Sequence, residues 1–568
     1  MSTQEKVLTG YPSIDKPWLK YYSDEATKRK LPEYTVYENI WQNNKNQLND
    51  TALLYFGKKI TYKQLFNEID KTVKALVAYG VTYGENVTVC MPAVPETLYL
   101  ILALNKIGAN ANMLNPLFTE EQLTERMNET EAKMLFVVNE LYARVKNVIP
   151  KTKIKTVVSC AAVNSLGAFV KLIKNAKKIP DTIEWNAFIK RGKNATYSIP
   201  EYATNHPAIM VYSSGTTGSS KGIQLTNDSI NSSIWESVHI GIEWSRGDRW
   251  FSQIPIWFST GICVSTLVPL RYGITVILEP LYDFEIFYQH ILKYKPNFMI
   301  TACGLIDYLM TKRPSADAYK HFKYLCVGGE YVTPIAERKY GEWLKRNGNN
   351  YGFFKGYGMC ECGGTVTASS AKNNVIGAAG IPLPNVIVTA FDLKTGKELK
   401  YGERGEIRVL TPCRMLGYYK NPEATAQYFH KDEKGNIWAC TGDMGYVTED
   451  GNVYVDGRIS SSYVNDNNEV IYLFDIERAV LDIEQVRQCK VVVSEINGRK
   501  MHVVHVVLNR DVDSQKIWNV MKEYCSKKLP QSHMPAWIKL YDSALPVAAS
   551  GKLDVAVMEK DTLNLIEL

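Results

Sequence analysis

The stretch YSSGTTGSSKG, residues 212–222, follows directly on the apolar run AIMV. Gly215 and Gly218 let backbone amides approach an anion, Ser213, Ser214, Thr216 and Thr217 offer hydroxyl donors, and Lys221 adds positive charge. A strand that empties into such a loop has the parts needed to grip phosphate. The spacing G-x-x-x-x-G-K-[ST] of a Walker A loop cannot be laid on it. A flexible Ser/Gly linker would need neither the buried strand nor the order G-T-T-G-x-x-K-G. Eleven cysteines are scattered along the chain, and Cys360 and Cys362 are the one close pair. C-x-C without further partners is neither a zinc site nor a redox C-x-x-C. Their odd count and wide spacing suit reduced thiols in a reducing compartment.

The elements that must position this loop read as α/β. ENVTVCMP is a short buried strand and ETLYLILALNKIGA an apolar helix, and strands recur at KMLFVVN, KTVVSC, ITVILEP, NFMITAC and KYLCVGGE. Strands alternating with helices of this length predict parallel-type sheets covered on both faces. From about 376 to 456 turns come quickly and strands dominate, which predicts a β-rich subdomain. Residues 473–568 alternate again, enough for a small α+β domain. The expected division is 1–457 and 458–568, with a hinge at about 458–461.

The 568 residues are 45% hydrophobic and 22% charged, which excludes a disordered tail, a fibre and a disulfide mini-protein. A net charge of +7, from 66 basic and 59 acidic residues, is too thin for a nucleic-acid binder but suits an enzyme handling anions. The N-terminus lacks an apolar signal region, so a cytoplasmic location is expected. Residues 251–270 carry no charge, yet Gln253, Pro255, Gly261 and Pro269 interrupt them, and they read as a buried strand-turn-helix rather than a membrane span. Residues 141–195 hold twelve Lys/Arg against Asp181 and Glu184. Within them, 166–180 reads either as a solvated insertion packing its apolar side or as an element in weak contact with anionic lipid.

At the glycine-rich loop the chain resembles the adenylate-forming superfamily, which includes acyl-CoA synthetases, luciferases and peptide-synthetase adenylation domains. The resemblance runs from ITYKQL near residue 60 to SGKLD at 550–554, and further motifs match in family order. VGGE (327–330) resembles the strand end that meets adenine, which implicates Gly329 and Glu330. GYGMCE (356–361) resembles Y-G-x-T-E. Tyr357 offers a flat face for a base, Gly356 and Gly358 remove side chains around it, and Glu361 is a carboxylate suited to Mg²⁺, with Thr216 as its second candidate. TGDMGY (441–446) carries Asp443, which in a Gly-Asp turn can accept from both ribose hydroxyls. Arg458 and Lys552 are cations expected from the smaller domain, where charge on the α-phosphate needs stabilising.

The resemblance implies that a carboxylate attacks the α-phosphorus of ATP, pyrophosphate leaves, and a thiol captures the acyl adenylate. The thiol is that of coenzyme A or of the phosphopantetheine on an acyl carrier protein. A homologue that binds nucleotide with reduced catalysis is the remaining alternative. The chain departs from the family at Cys360, where Thr is usual, at Ser460, the hinge Asp position, and at Asn467, the position of the tunnel glycine. In IPIWFSTGI (254–262) the His of acyl-CoA synthetases falls on Phe258. Thr260 falls where amino-acid-activating members hold an Asp, so an α-amino acid is disfavoured. Trp257 and Phe258 read either as the wall of a pocket for an apolar or fatty acid or as core packing, and Thr260, Gly261 and Gly356 are the further candidates for the acid site.

Overall fold

In the computed structural model, which describes residues 8–28, 33–166, 178–213, 220–509, 512, 514–546 and 553–567, two large sheets organise the first two-thirds of the chain. One has eight strands and the other nine. Each is built around six parallel strands with antiparallel additions only at its edges. The α/β class expected from the alternating pattern is the one observed.

The helices follow from their sequences. Tyr62–Ala78 starts with a capping box between Thr61 and Gln64 and buries Leu65, Phe66, Ile69, Val73 and Leu76 along one side. Pro95–Lys106 is buried at all twelve positions. Its unbroken apolar run from Leu98 to Leu104 is what a helix enclosed by other elements requires. One continuous core runs through both sheets, and a second covers the other face of the nine-stranded sheet.

Five antiparallel strands between Ile387 and Arg458 form a separate sheet. The turn-rich stretch expected from residue 376 is divided differently in space. Ile381–Pro382 closes the edge of the nine-stranded sheet, and Gly417–Tyr418 joins the eight-stranded one. Strand Val453–Arg458 pairs with Ile437–Val447, so Arg458 belongs to this sheet rather than to the smaller unit from which it was expected.

Beyond it, Val486–Ile496, Arg499–Leu508, Trp537–Leu540 and Ile566–Glu567 make a four-stranded sheet with a core of its own. Arg404 and Arg478 join Asp456 of the five-stranded sheet to helix Leu473–Leu481. Residues 251–270 form the end of strand Arg249–Ser252, a loop, a π-helix over Thr260–Leu267 and a short α-turn. No helix among the described residues is long and apolar enough to cross a membrane. None of the eleven cysteines forms a disulfide.

Candidate functional site

The glycine-rich loop springs from strand Pro207–Tyr212 and returns into Gly222–Thr226, which pairs antiparallel with it. Its mouth is pinned on both sides. Ser213 N donates to the Lys221 carbonyl at 3.0 Å, Lys221 N donates to Ser213 Oγ at 3.0 Å, and Ser220 Oγ donates to the Ser213 carbonyl. Ser214, Gly215, Thr216, Thr217 and Gly218 lie outside the described residues, as do Lys552 and most of 166–180.

Three expected residues form one bonded chain. Tyr357 ends strand Phe353–Tyr357 and donates to Asp443 Oδ2 at 2.5 Å, while Arg458 Nε lies 3.0 Å from Asp443 Oδ1. Arg458 Nη1 also donates to the Thr441 carbonyl. Asp443 does not sit in a Gly-Asp turn. It lies within the long strand Ile437–Val447, where the register against Gly405–Leu410 slips and Gly442 takes φ +69°. That bulge turns the carboxylate inward. Burial raises the Asp443 carboxyl above the ordinary carboxylate range, and the Arg458 guanidinium opposes the rise. Burial, then the charge of Asp443, lifts the Tyr357 phenol well above its usual value, so it stays a donor.

Glu361 lies four residues on, in a short 3₁₀ turn over Cys360–Cys362. Its Oε1 accepts from the Tyr418 hydroxyl at 2.9 Å and its carbonyl from Met415 N. Oε2 accepts from no described residue. Lys221 Nζ stands 5.2 Å from the centre of the same Tyr418 ring. Among the described residues no cluster of three His, Cys, Asp or Glu could hold a metal. A single half-buried carboxylate with a free oxygen does fit Mg²⁺, which binds through one or two carboxylates plus substrate phosphates. Cys360 is half-buried, and its neighbours Cys362, Cys263 and Cys413 are buried thiols.

Several glycines have reasons other than a ligand. A side chain on Gly358 would stand 2.2 Å from the Gly364 carbonyl, and one on Gly356 3.1 Å from that of Thr367. Close backbone already demands glycine at both positions. Gly329 has open space around it but takes φ +83°, which only glycine adopts freely. Glu330 accepts from Cys303 N at the start of helix Cys303–Met310.

The acid-pocket candidates lie against this loop. The Thr260 amide and Val264 lie 3.2 Å from where a Gly364 side chain would begin, and Ser233 Oγ donates to the Gly363 carbonyl. Gly261 is forced by the Pro255 carbonyl, 2.1 Å from its missing Cβ. The Trp257 and Phe258 rings are 6.3 Å apart, both half-buried, and the Trp257 indole N–H has no acceptor among the described residues. Sequence reasoning missed Tyr418, Thr441, Gly363 and Gly364. Gly364 carried a signal, since GG after CEC demands a special backbone, and it takes φ +109°. Tyr418 carried none.

A sequence profile described as AMP-binding enzyme matches residues 40–419, more than half of the chain. The chain belongs to the AMP-binding enzyme family. Curated relatives agree in breadth and differ in substrate. A long-chain-fatty-acid–CoA ligase of Bacillus subtilis is 24% identical over 496 residues, covering 83% of this chain and 85% of that protein. The probable 4-coumarate–CoA ligase 2 of Dictyostelium discoideum is 26% identical over 455 residues, covering 77% of this chain and 79% of its own length. Among solved structures, ATP-bound MatB from Rhodopseudomonas palustris matches with a TM-score of 0.79 at 21% identity, over 94% of this chain and 99% of that one.

The departures from the family motifs have defined places in this AMP-binding enzyme. Ser460 follows Ile459, whose N–H donates to the Gly442 carbonyl beside Asp443. Asn467 lies at the tip of a hairpin between Ser462–Val464 and Val470–Tyr472, where Asn465 Oδ1 accepts from the amides of Asn467 and Glu469.

Proposed function

We propose that this chain uses ATP to convert a carboxylic acid to its acyl adenylate and then transfers the acyl group to the thiol of coenzyme A. The supporting observation is the bonded chain Tyr357–Asp443–Arg458 beside Glu361, reached by the pinned mouth of the glycine-rich loop. An ionised, buried Asp443 is suited to accept from a ribose diol, and Tyr357 gives the flanking apolar face. Arg458 stands where it can follow Asp443 to a phosphate. Mg²⁺, when bound, neutralises phosphate charge. Glu361 would hold it, with Thr216 as the second candidate from the loop.

The residues of this chain then act by position and charge. The loop amides and Lys221 hold the triphosphate. Trp257, Phe258 and Thr260 orient the acid so that its carboxylate lies against the α-phosphorus, and Lys552 stabilises charge there as pyrophosphate leaves. The residues after Arg458 act as a small unit that repositions about 458–461 for the thiol step. Half-buried aromatic rings at the acid site favour an apolar acid, fatty or aromatic, and the chain works in the cytoplasm.

ATP–pyrophosphate exchange across a panel of acids tests the first half-reaction and identifies the acid. Thioester formation with coenzyme A against a phosphopantetheinyl carrier protein tests the second. Exchange with no acid in the panel would favour the homologue with reduced catalysis.

A further inference from the structure

Glu361 and Lys221 carry opposite charges, and both stand beside one ring, that of Tyr418. We propose that Tyr418 is a positioning residue: it keeps this carboxylate and this ammonium apart and aimed, so that both stay available to a metal–triphosphate. The inference rests on the functional reading above, because it takes Glu361 as the metal carboxylate and Lys221 as a phosphate cation.

The backbone fixes Tyr418 from two directions. Strand Gly417–Tyr418 pairs with Gly222–Thr226, placing Tyr418 opposite Ile223, two residues beyond Lys221. Tyr419 N donates to the Gly222 carbonyl at 2.7 Å and Leu416 N to that of Gln224 at 2.9 Å. On the other side Met415 N holds the Glu361 carbonyl at 2.7 Å. The segment 415–419 is thus stitched both to the exit of the phosphate loop and to the metal-carboxylate turn.

The side chain uses both of its chemistries. Its hydroxyl occupies Glu361 Oε1 at 2.9 Å, and its face receives the Lys221 ammonium at 5.2 Å. Tyr428 packs edge-on against the ring at 5.8 Å and is itself held by Met359 Sδ. A lysine on a four-carbon stem would otherwise close on the carboxylate, and an ion pair would consume the charge that each owes the ligand. With Tyr418 between them, Oε2 and the ammonium keep no hydrogen-bond partner among the described residues.

The test measures ATP binding rather than turnover. Tyr418→Phe keeps the ring and its cation contact and removes the hydroxyl. Its affinity for ATP with Mg²⁺ should fall about tenfold, the cost of losing an outer partner of a metal ligand, while its affinity in EDTA stays that of wild type. Mn²⁺ binding in the presence of ATP, followed by paramagnetic resonance, should weaken alike. Tyr418→Leu should weaken ATP binding both with and without metal. A Tyr418→Phe protein that binds Mg·ATP as wild type does overturns the proposal. So do effects of Tyr418→Phe and Glu361→Gln that simply add in a double-mutant cycle. If Tyr418→Phe does not fold, 3-fluorotyrosine at 418 replaces it: the stronger donor should change Mn²⁺ affinity, and no change overturns the idea. Failure of the underlying reading looks different, because wild-type ATP affinity would then ignore both Mg²⁺ and Glu361→Gln.

Discussion

The Tyr357 hydroxyl donates a 2.5 Å hydrogen bond to Oδ2 of Asp443, joining the nine-stranded sheet to the five-stranded one at the point where both reach the candidate site. The carboxylate is therefore fixed before any ligand arrives. Each of its oxygens keeps a second acceptor direction, so a ribose diol can be held without breaking the bonds to Tyr357 and Arg458.

Asp443→Asn should weaken ATP binding about tenfold, since a hydrogen bond to a buried charged group is worth about 1.5–3 kcal/mol. The variant should also distinguish 2′-deoxy-ATP from ATP less well. Calorimetric titration checks both, and unchanged binding would remove Asp443 from the site.

The same carboxylate sets a pH dependence of stability. Burial raises its folded pKa above the unfolded 3.8, so the folded chain holds the proton more tightly than the unfolded one. That stabilisation is complete below the unfolded value and is lost as pH rises through the folded value. At neutral pH the ionised group costs stability, so Asp443→Asn should melt higher than wild type there, with the gain shrinking on acidification. Melting curves from pH 7 downward test the sign.

Lys552→Ala should abolish adenylate formation and leave ATP binding nearly intact. Removing one cation from the transition state costs about 3–4 kcal/mol, or 10² to 10³-fold in rate. Pyrophosphate exchange within threefold of wild type would show that this lysine does not act there.

Cys360→Thr restores the residue usual in the family and exchanges a weak S–H donor for a hydroxyl. If position 360 faces the α-phosphate, the adenylation rate should hold or rise, by up to about a hundredfold, and equally for every acid. A change that depends on acid shape would place Cys360 at the acyl pocket instead.

Asp456 is buried and holds two arginines, Arg404 at 2.5 Å and Arg478. Asp456→Ala takes one partner from each arginine, while Arg404 keeps Asp475 and Arg478 keeps the Val455 carbonyl, and it should lower the melting temperature. Arg404→Ala should cost less, because Arg404 is more exposed and the carboxylate keeps Arg478. Equal shifts in melting temperature would contradict this ranking.

The sequence by itself determined the α/β class and the family. Alternating apolar strands and helices are local patterns, and the glycine-rich loop, GYGMCE and TGD are contiguous runs whose residue types already state their chemistry. Tertiary structure decided who holds whom. Arg458 proved to be a strand residue bonded to Asp443, Glu330 the acceptor for Cys303 N, and Gly358 a concession to the Gly364 carbonyl. The role of Tyr418 as the shared neighbour of Glu361 and Lys221 came from strand pairing across nearly 200 residues, and the Tyr357–Asp443 bond spans 86. Local sequence carries no record of such pairings, because they are fixed only when two sheets with separate registers close on one another.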